Sequence, residues 1–129
     1  MKTLRFVSVG VLLLFSGCRT NPVLVEPNCQ IAVSPERVGD MKKAIVVAAT
    51  RLGWSAVDKG PTVVRCALSK STHEVQVDVV YSDKDFSIRY VDSKEMEYDP
   101  KDQTIRRKYN QWVRNLEKEI RIQLSHFSL

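Results

Sequence analysis

The stretch His73-Glu74-Val75-Gln76-Val77-Asp78-Val79-Val80-Tyr81 sets Val75, Val77, Val79 and Tyr81 against Glu74, Gln76 and Asp78. Successive side chains of an extended strand point to opposite faces, so a period of two predicts a strand with one dry face and one wet face. Valine, stiff at χ1, suits that pleated surface. Working outward, Val63 to Leu68 puts Val64, Cys66 and Leu68 on one face, and Phe86, Ile88 and Tyr90 alternate with Ser87 and Arg89. Trp54 to Val57 is a shorter run of the same kind. Asp58-Lys59-Gly60-Pro61, Ser69 to Thr72 and Ser82-Asp83-Lys84-Asp85 supply turns between these runs. Links this short join antiparallel neighbours, because a parallel pair needs a crossover of a dozen or so residues.

On both sides the period changes to that of a helix. Ser34 is a good N-cap, Pro35 suits the first helical position and Glu36 favours the positive end of the dipole. Val38, Met41, Ile45, Ala48, Ala49 and Leu52 then share one side, with Lys43, Val47 and Thr50 opposite and Gly53 as C-cap. A second helix is expected from about Thr104 to Ser125, with Ile105, Tyr109, Trp112, Leu116, Ile120 and Leu124 on its stripe and Trp112 at the centre. The expected fold is α+β: a four-stranded antiparallel sheet with two helices packed on one face, in the order α-β-β-β-β-α. Val23-Leu24-Val25 or Gln30 to Val33 can add an N-terminal edge strand.

The chain has 129 residues, 43% of them hydrophobic, with 20 Lys+Arg against 15 Asp+Glu. That is enough for one modest core and too little for two domains, and it excludes a disordered tail or a polytopic membrane protein. At the N-terminus, Lys2 and Arg5 precede an apolar run from Phe6 to Phe15, then Ser16-Gly17-Cys18. The run is about half the length needed to span a bilayer and reads as a secretory h-region. Small residues before Cys18 match a bacterial lipobox, apart from Phe15 where leucine is commoner. Residues 1–17 are then a leader, Cys18 is the acylated N-terminus, 18–33 a tether, and 34–125 one α+β domain. Loss of Lys2 and Arg5 with the leader lowers the formal charge from +5 to +3. Arg19, where Asp would favour inner-membrane retention, directs the expectation to the periplasmic face of the outer membrane.

Sites of chemistry are few. Arg107, Arg114, Lys118 and Arg121 fall opposite the apolar stripe of the second helix, a row able to meet anionic lipid or wall polymer. Export and the small residual charge argue against nucleic acid. The acidic stretch Asp92, Glu95, Glu97, Asp99, Asp102 lacks the glycine and closing acid of a calcium loop, so no metal or other cofactor is expected. His73 and His126 are the only histidines, and no Gly-x-Ser-x-Gly, His-Glu-x-x-His or Cys-x-x-Cys occurs. Tyr81, Phe86, Tyr90, Tyr98, Tyr109 and Trp112 cluster near the sheet-to-second-helix contact, either as core or as the lining of a small-molecule or glycan groove. With Cys18 acylated, Cys29 and Cys66 remain, and an oxidising compartment would let them form a disulfide.

The segments Tyr81-Ser82, Phe86-Ser87-Ile88-Arg89-Tyr90-Val91-Asp92-Ser93, Tyr98 and Tyr109-Asn110-Gln111-Trp112-Val113-x-Asn115-Leu116, together with Arg51-Leu52-Gly53-Trp54, resemble a family of small bacterial lipoproteins that join a lipobox signal to a short α+β domain. The resemblance spans about residues 34 to 124 and implies the fold and an envelope location. It implies no catalytic residue. The expected function is a membrane-anchored, non-catalytic binding or envelope-assembly module whose partner is an envelope protein or polymer. The alternatives are an anionic lipid or wall-polymer binder acting through the second helix, or a small hydrolase around His73. Cys18→Ala is expected to leave an uncleaved precursor that takes up no labelled palmitate, and equal labelling of variant and wild type would refute acylation.

Overall fold

Val75, Val77, Val79 and Tyr81 are all buried, while Glu74, Gln76 and Asp78 stay half exposed. The structure is a computed structural model that describes residues 20–23, 26–30 and 38–127. Its elements are β1 (Thr20–Pro22), β2 (Glu26–Gln30), α1 (Val38–Arg51), β3 (Ser55–Asp58), β4 (Val63–Lys70), β5 (His73–Tyr81), β6 (Asp85–Lys94), β7 (Thr104–Arg106) and α2 (Arg107–Ser125). The expected α+β fold is present, and the expected four strands are β3 to β6. A fifth, β2, lies on the outer edge, giving a sheet of order β2-β6-β5-β4-β3 with antiparallel pairing throughout.

Register follows the valine pattern. Cys66 faces Val77 across β4 and β5, Val64 faces Val79, and Val79 faces Ile88 across β5 and β6. Directly opposed residues share a face, so these side chains make one dry surface. The helices cover it. Met41, Ala44, Ile45, Ala48 and Ala49 of α1 are fully buried, as are Tyr109, Val113, Leu116 and Ile120 of α2. Lys43, Val47 and Thr50 face outward as expected, and Gly53 takes φ +89, the left-handed turn that carries the chain from α1 into β3. The expected N-cap at Ser34 lies outside the described residues, as do the leader and Cys18.

Four details differ from the sequence reading. Part of the stretch expected to be tether is strand: β1 pairs with β7, and β2 pairs with β6. The expected first turn of the second helix is β7, because Thr20, Asn21 and Pro22 offer a partner to Arg106, Ile105 and Thr104. The loop expected from Asp92 begins later, since β6 runs to Lys94, and it buries Met96. Glu95, Glu97 and Gln103 have positive φ, the cost of turning this segment tightly without glycine. Arg106 N–H donating to the Met96 carbonyl (2.9 Å) and the Arg106–Glu97 ion pair (2.6 Å) hold the turn.

Trp112 is the fourth difference. It packs against the core only in part, on the flank of a stripe centred on Tyr109, Leu116 and Ile120. A cavity forms only where surrounding atoms cannot collapse inward. Tyr109→Ala is therefore expected to cost about 3–5 kcal/mol and Trp112→Ala clearly less, by urea denaturation of both variants. An equal or larger loss for Trp112→Ala would place the helix differently.

Candidate functional site

Two open grooves flank α2, and each is built by a local feature of the sequence. The first forms where α1 ends. Trp54 N–H donates to the Ala49 carbonyl (2.9 Å), so the turn after α1 is closed and the Trp54 indole is laid, 4% exposed, against the core. Leu68 and Lys70, alternate residues at the end of β4, and Trp112 and Asn115, three residues or nearly one turn apart on α2, face the same space. With Leu52 they line a groove of about 250 Å³. Trp112 is half exposed and Lys70 and Asn115 are exposed, so an indole, an ammonium and an amide meet solvent over an apolar floor.

The second groove forms where the chain enters the domain. The Asn110 side-chain amide donates to the Pro22 carbonyl (3.0 Å) and Val23 N–H to the Gln103 carbonyl (2.9 Å), clamping β1 beside the start of α2. Asn21, Arg107, Lys108, Gln111 and Arg114 line an open groove of about 400 Å³. Its three cations are exposed, and the first turn of α2 contains no acidic residue.

The expected basic row is distributed unevenly. Arg107, Arg114, Lys118 and Arg121 are all exposed on α2. Arg121, however, pairs with Glu117 and lies 5.9 Å from the Phe86 ring centroid, over its face. Arg107 and Arg114 instead converge with Lys108, which the sequence reading left out. Opposite-face counting missed Lys108 because it sits toward the flank of the helix, and only the docking of β1 brings it into the group.

The expected aromatic lining proves to be mostly core. Tyr90 stacks on Tyr98 at 4.4 Å and lies 5.7 Å from Tyr109, which is fully buried, as is Phe86. Tyr90 Oη is 2.8 Å from Ser93 Oγ. Of the six rings, Trp112 alone lines one of the two grooves, and its groove partner is Trp54.

The expected Cys29–Cys66 disulfide is corrected. Cys66 is a free, buried thiol on β4, whereas Cys29 lies on β2 opposite Phe86. Strands β6 and β5 intervene. Three strand spacings, about 14 Å, separate the two backbones, against a Cα limit of roughly 7 Å for a bridge. His73 starts β5 directly opposite Lys70. A cation does not orient an imidazole as a general base, so this placement gives the hydrolase alternative no support. Among the described residues no group of His, Cys, Asp and Glu could hold a metal ion, and no helix is long and apolar enough to cross a membrane.

The sheet face turned away from the helices carries its own ion pair. The Arg65 guanidinium on β4 donates twice to Asp78 on β5, at 2.9 and 3.0 Å. Arg89 on β6 stands opposite Asp78 on its other side. Lys42 and Asp58 pair at 2.6 Å at the surface, which holds the Lys42 ammonium above and the Asp58 carboxyl below their ordinary ranges.

Comparison of the chain with family models, with curated proteins and with solved structures finds no match.

Burial, with a smaller contribution from the Asp78 charge, pushes the Cys66 thiol up from 9.0 to about 12. The unfolded chain releases this proton above pH 9 and the folded chain keeps it, so the stabilisation is complete below pH 9 and is lost as pH rises toward 12. Tyr81 and Tyr90 are raised as well, chiefly by burial, and act in the same direction at higher pH. Between pH 9 and 10, unfolding free energy should fall by up to about 1.4 kcal/mol per pH unit through Cys66. Cys66→Val is expected to flatten that slope in urea titrations, and Cys66 should resist alkylation in the native protein. Rapid native alkylation, or an unchanged slope in the variant, would contradict the assignment.

Proposed function

We propose that the chain is a lipid-anchored domain of the bacterial envelope that binds its ligand without transforming it, and that the ligand sits in the groove between Trp54 and Trp112. The anchoring part rests on the order of Lys2, Arg5, the Phe6–Phe15 run and Ser16-Gly17-Cys18. Two or more acyl chains on one cysteine hold a protein at a bilayer essentially permanently, where one gives marginal binding. The outer-membrane location rests on Arg19 following Cys18.

The binding part is carried by one observation: the half-exposed Trp112 indole standing over an apolar floor between Lys70 and Asn115. A saccharide ring presents an apolar C–H face and a rim of hydroxyls. An indole face accepts the first, while an ammonium donates to the second and a carboxamide both donates to it and accepts from it.

A tryptophan anchor at the rim of such a site should dominate its affinity. Envelope glycan fragments titrated into the purified protein are expected to shift its tryptophan emission, and Trp112→Ala should weaken binding about tenfold or more. Unchanged emission across neutral and acidic glycans, measured on protein that melts normally, would overturn the binding part. Release of the acylated protein from membranes by salt alone would overturn the anchoring part.

A further inference from the structure

The second groove places cations where the chain leaves for its anchor. Thr20, Asn21 and Pro22 pair with Arg106, Ile105 and Thr104, and Arg106 runs straight into α2. The Asn110 amide holds the Pro22 carbonyl at 3.0 Å, so the entering strand is fixed to the helix as well as to β7. Asn21 therefore lines the same groove as Arg107, Lys108, Gln111 and Arg114. Only three residue steps separate Asn21 from Cys18. Fully extended, those steps reach about 11 Å, little more than the roughly 8 Å over which salt screens a charge at physiological strength. A surface that holds the acyl chains of Cys18 is thus tied so close to the groove that any path shorter than full extension brings it within electrostatic reach of Arg107, Lys108 and Arg114.

The charge balance inside the groove points the same way. Arg107 and Lys108 occupy the first turn of α2, the positive end of the helix dipole, where carboxylates are the favourable occupants. Glu97 is engaged by Arg106, Glu117 by Arg121 and Glu119 by Arg51. Among the described residues none of the three groove cations forms an ion pair with a carboxylate. The repulsion within this group is left for an outside anion to offset. Gln111 and Asn21 add uncharged amides suited to phosphate oxygens.

We propose that Arg107, Lys108 and Arg114, with Gln111 and Asn21, form a docking face for the anionic phospholipid headgroups of the leaflet that holds Cys18. The domain then lies against its membrane on this face and does not swing freely from the anchor. This inference rests on the lipid-anchored reading above and assigns a role to residues outside the Trp54–Trp112 groove.

The test uses the mature protein, purified from membranes and reconstituted into vesicles of phosphatidylcholine alone or with phosphatidylglycerol added. A membrane-impermeant amine reagent then labels exposed lysines, read by peptide mass spectrometry. Lys59, in the β3–β4 turn, is the internal reference. Each cation brought to an anionic surface multiplies the docked population about fivefold, so the three together favour docking about a hundredfold, and Lys108 should label at least about tenfold more slowly on the mixed vesicles, with Lys59 unchanged. High salt should abolish the difference, and so should Arg107→Glu with Arg114→Glu. Equal Lys108 labelling on both vesicles, with the acyl mass present on Cys18, would overturn the docking face alone. Absence of that acyl mass would overturn the anchoring and the docking face together.

Discussion

Val64, Cys66, Val75, Val77, Val79, Phe86 and Ile88 are removed from water on one side of β4, β5 and β6. A single sheet cannot shield such a face by itself, and burying each side chain of this size is worth about 1.5–3 kcal/mol. Two helices are what the chain provides to cover it, and their faces are shaped by that task. α1 presents small residues, Ala44, Ala48 and Ala49, and so approaches β3, β4 and β5 closely. α2 presents the larger Tyr109, Leu116 and Ile120 and extends the cover toward β2 and β7. The Arg51–Glu119 ion pair (3.1 Å) joins the two where they meet at the surface.

One groove is a by-product of this cover, and the other of the docking of β1 beside α2. A helix laid on a twisted sheet leaves a wedge along its flank, and Trp112 and Asn115 border it. That wedge is floored by core residues and is apolar. Arg107, Gln111 and Arg114 lie instead on the outward side of α2, beside Asn21. The groove there is lined mostly by exposed residues and is basic. Their different chemistry thus follows from which side of one helix each groove borders.

The central strands were legible because alternation is a local property, and Val75 to Tyr81 or Phe86 to Tyr90 state it without help from elsewhere. The features that escaped depend on partners distant in the chain. Nothing in Thr104-Ile105-Arg106 distinguishes a strand from a helix start until Thr20 to Pro22 is laid beside it. Met96 belongs to no period, so its burial depended on how the loop folds back onto Arg106. In α2 the period gave the width of the apolar stripe but not its centre. Trp112 and Val113 lie about 100° apart around the axis, and the packing chose Val113 for the interior. Cysteine counting paired Cys29 with Cys66, whereas strand order decides such pairings, and the order β2-β6-β5-β4 keeps them apart. Of the candidate site, Arg107 and Arg114 could be found from the helical wheel. Lys108 and Asn21 could not, because they join it only through the β1–β7 pairing.

That pairing also decides how the protein would bear a load. A pull on the chain ahead of residue 20 meets first the ladder of three residue pairs between β1 and β7 and the Asn110–Pro22 hydrogen bond. β1 itself carries little buried apolar surface: Pro22 is exposed, Asn21 is half exposed, and Val23 only packs against the edge of the core. Were the chain held ahead of residue 20, detachment of β1 would free several more residues while β2 stayed paired with β6 and the valine face stayed covered. For a chain so held, the short strand would act as a mechanical fuse, giving slack under tension before the folded core is touched.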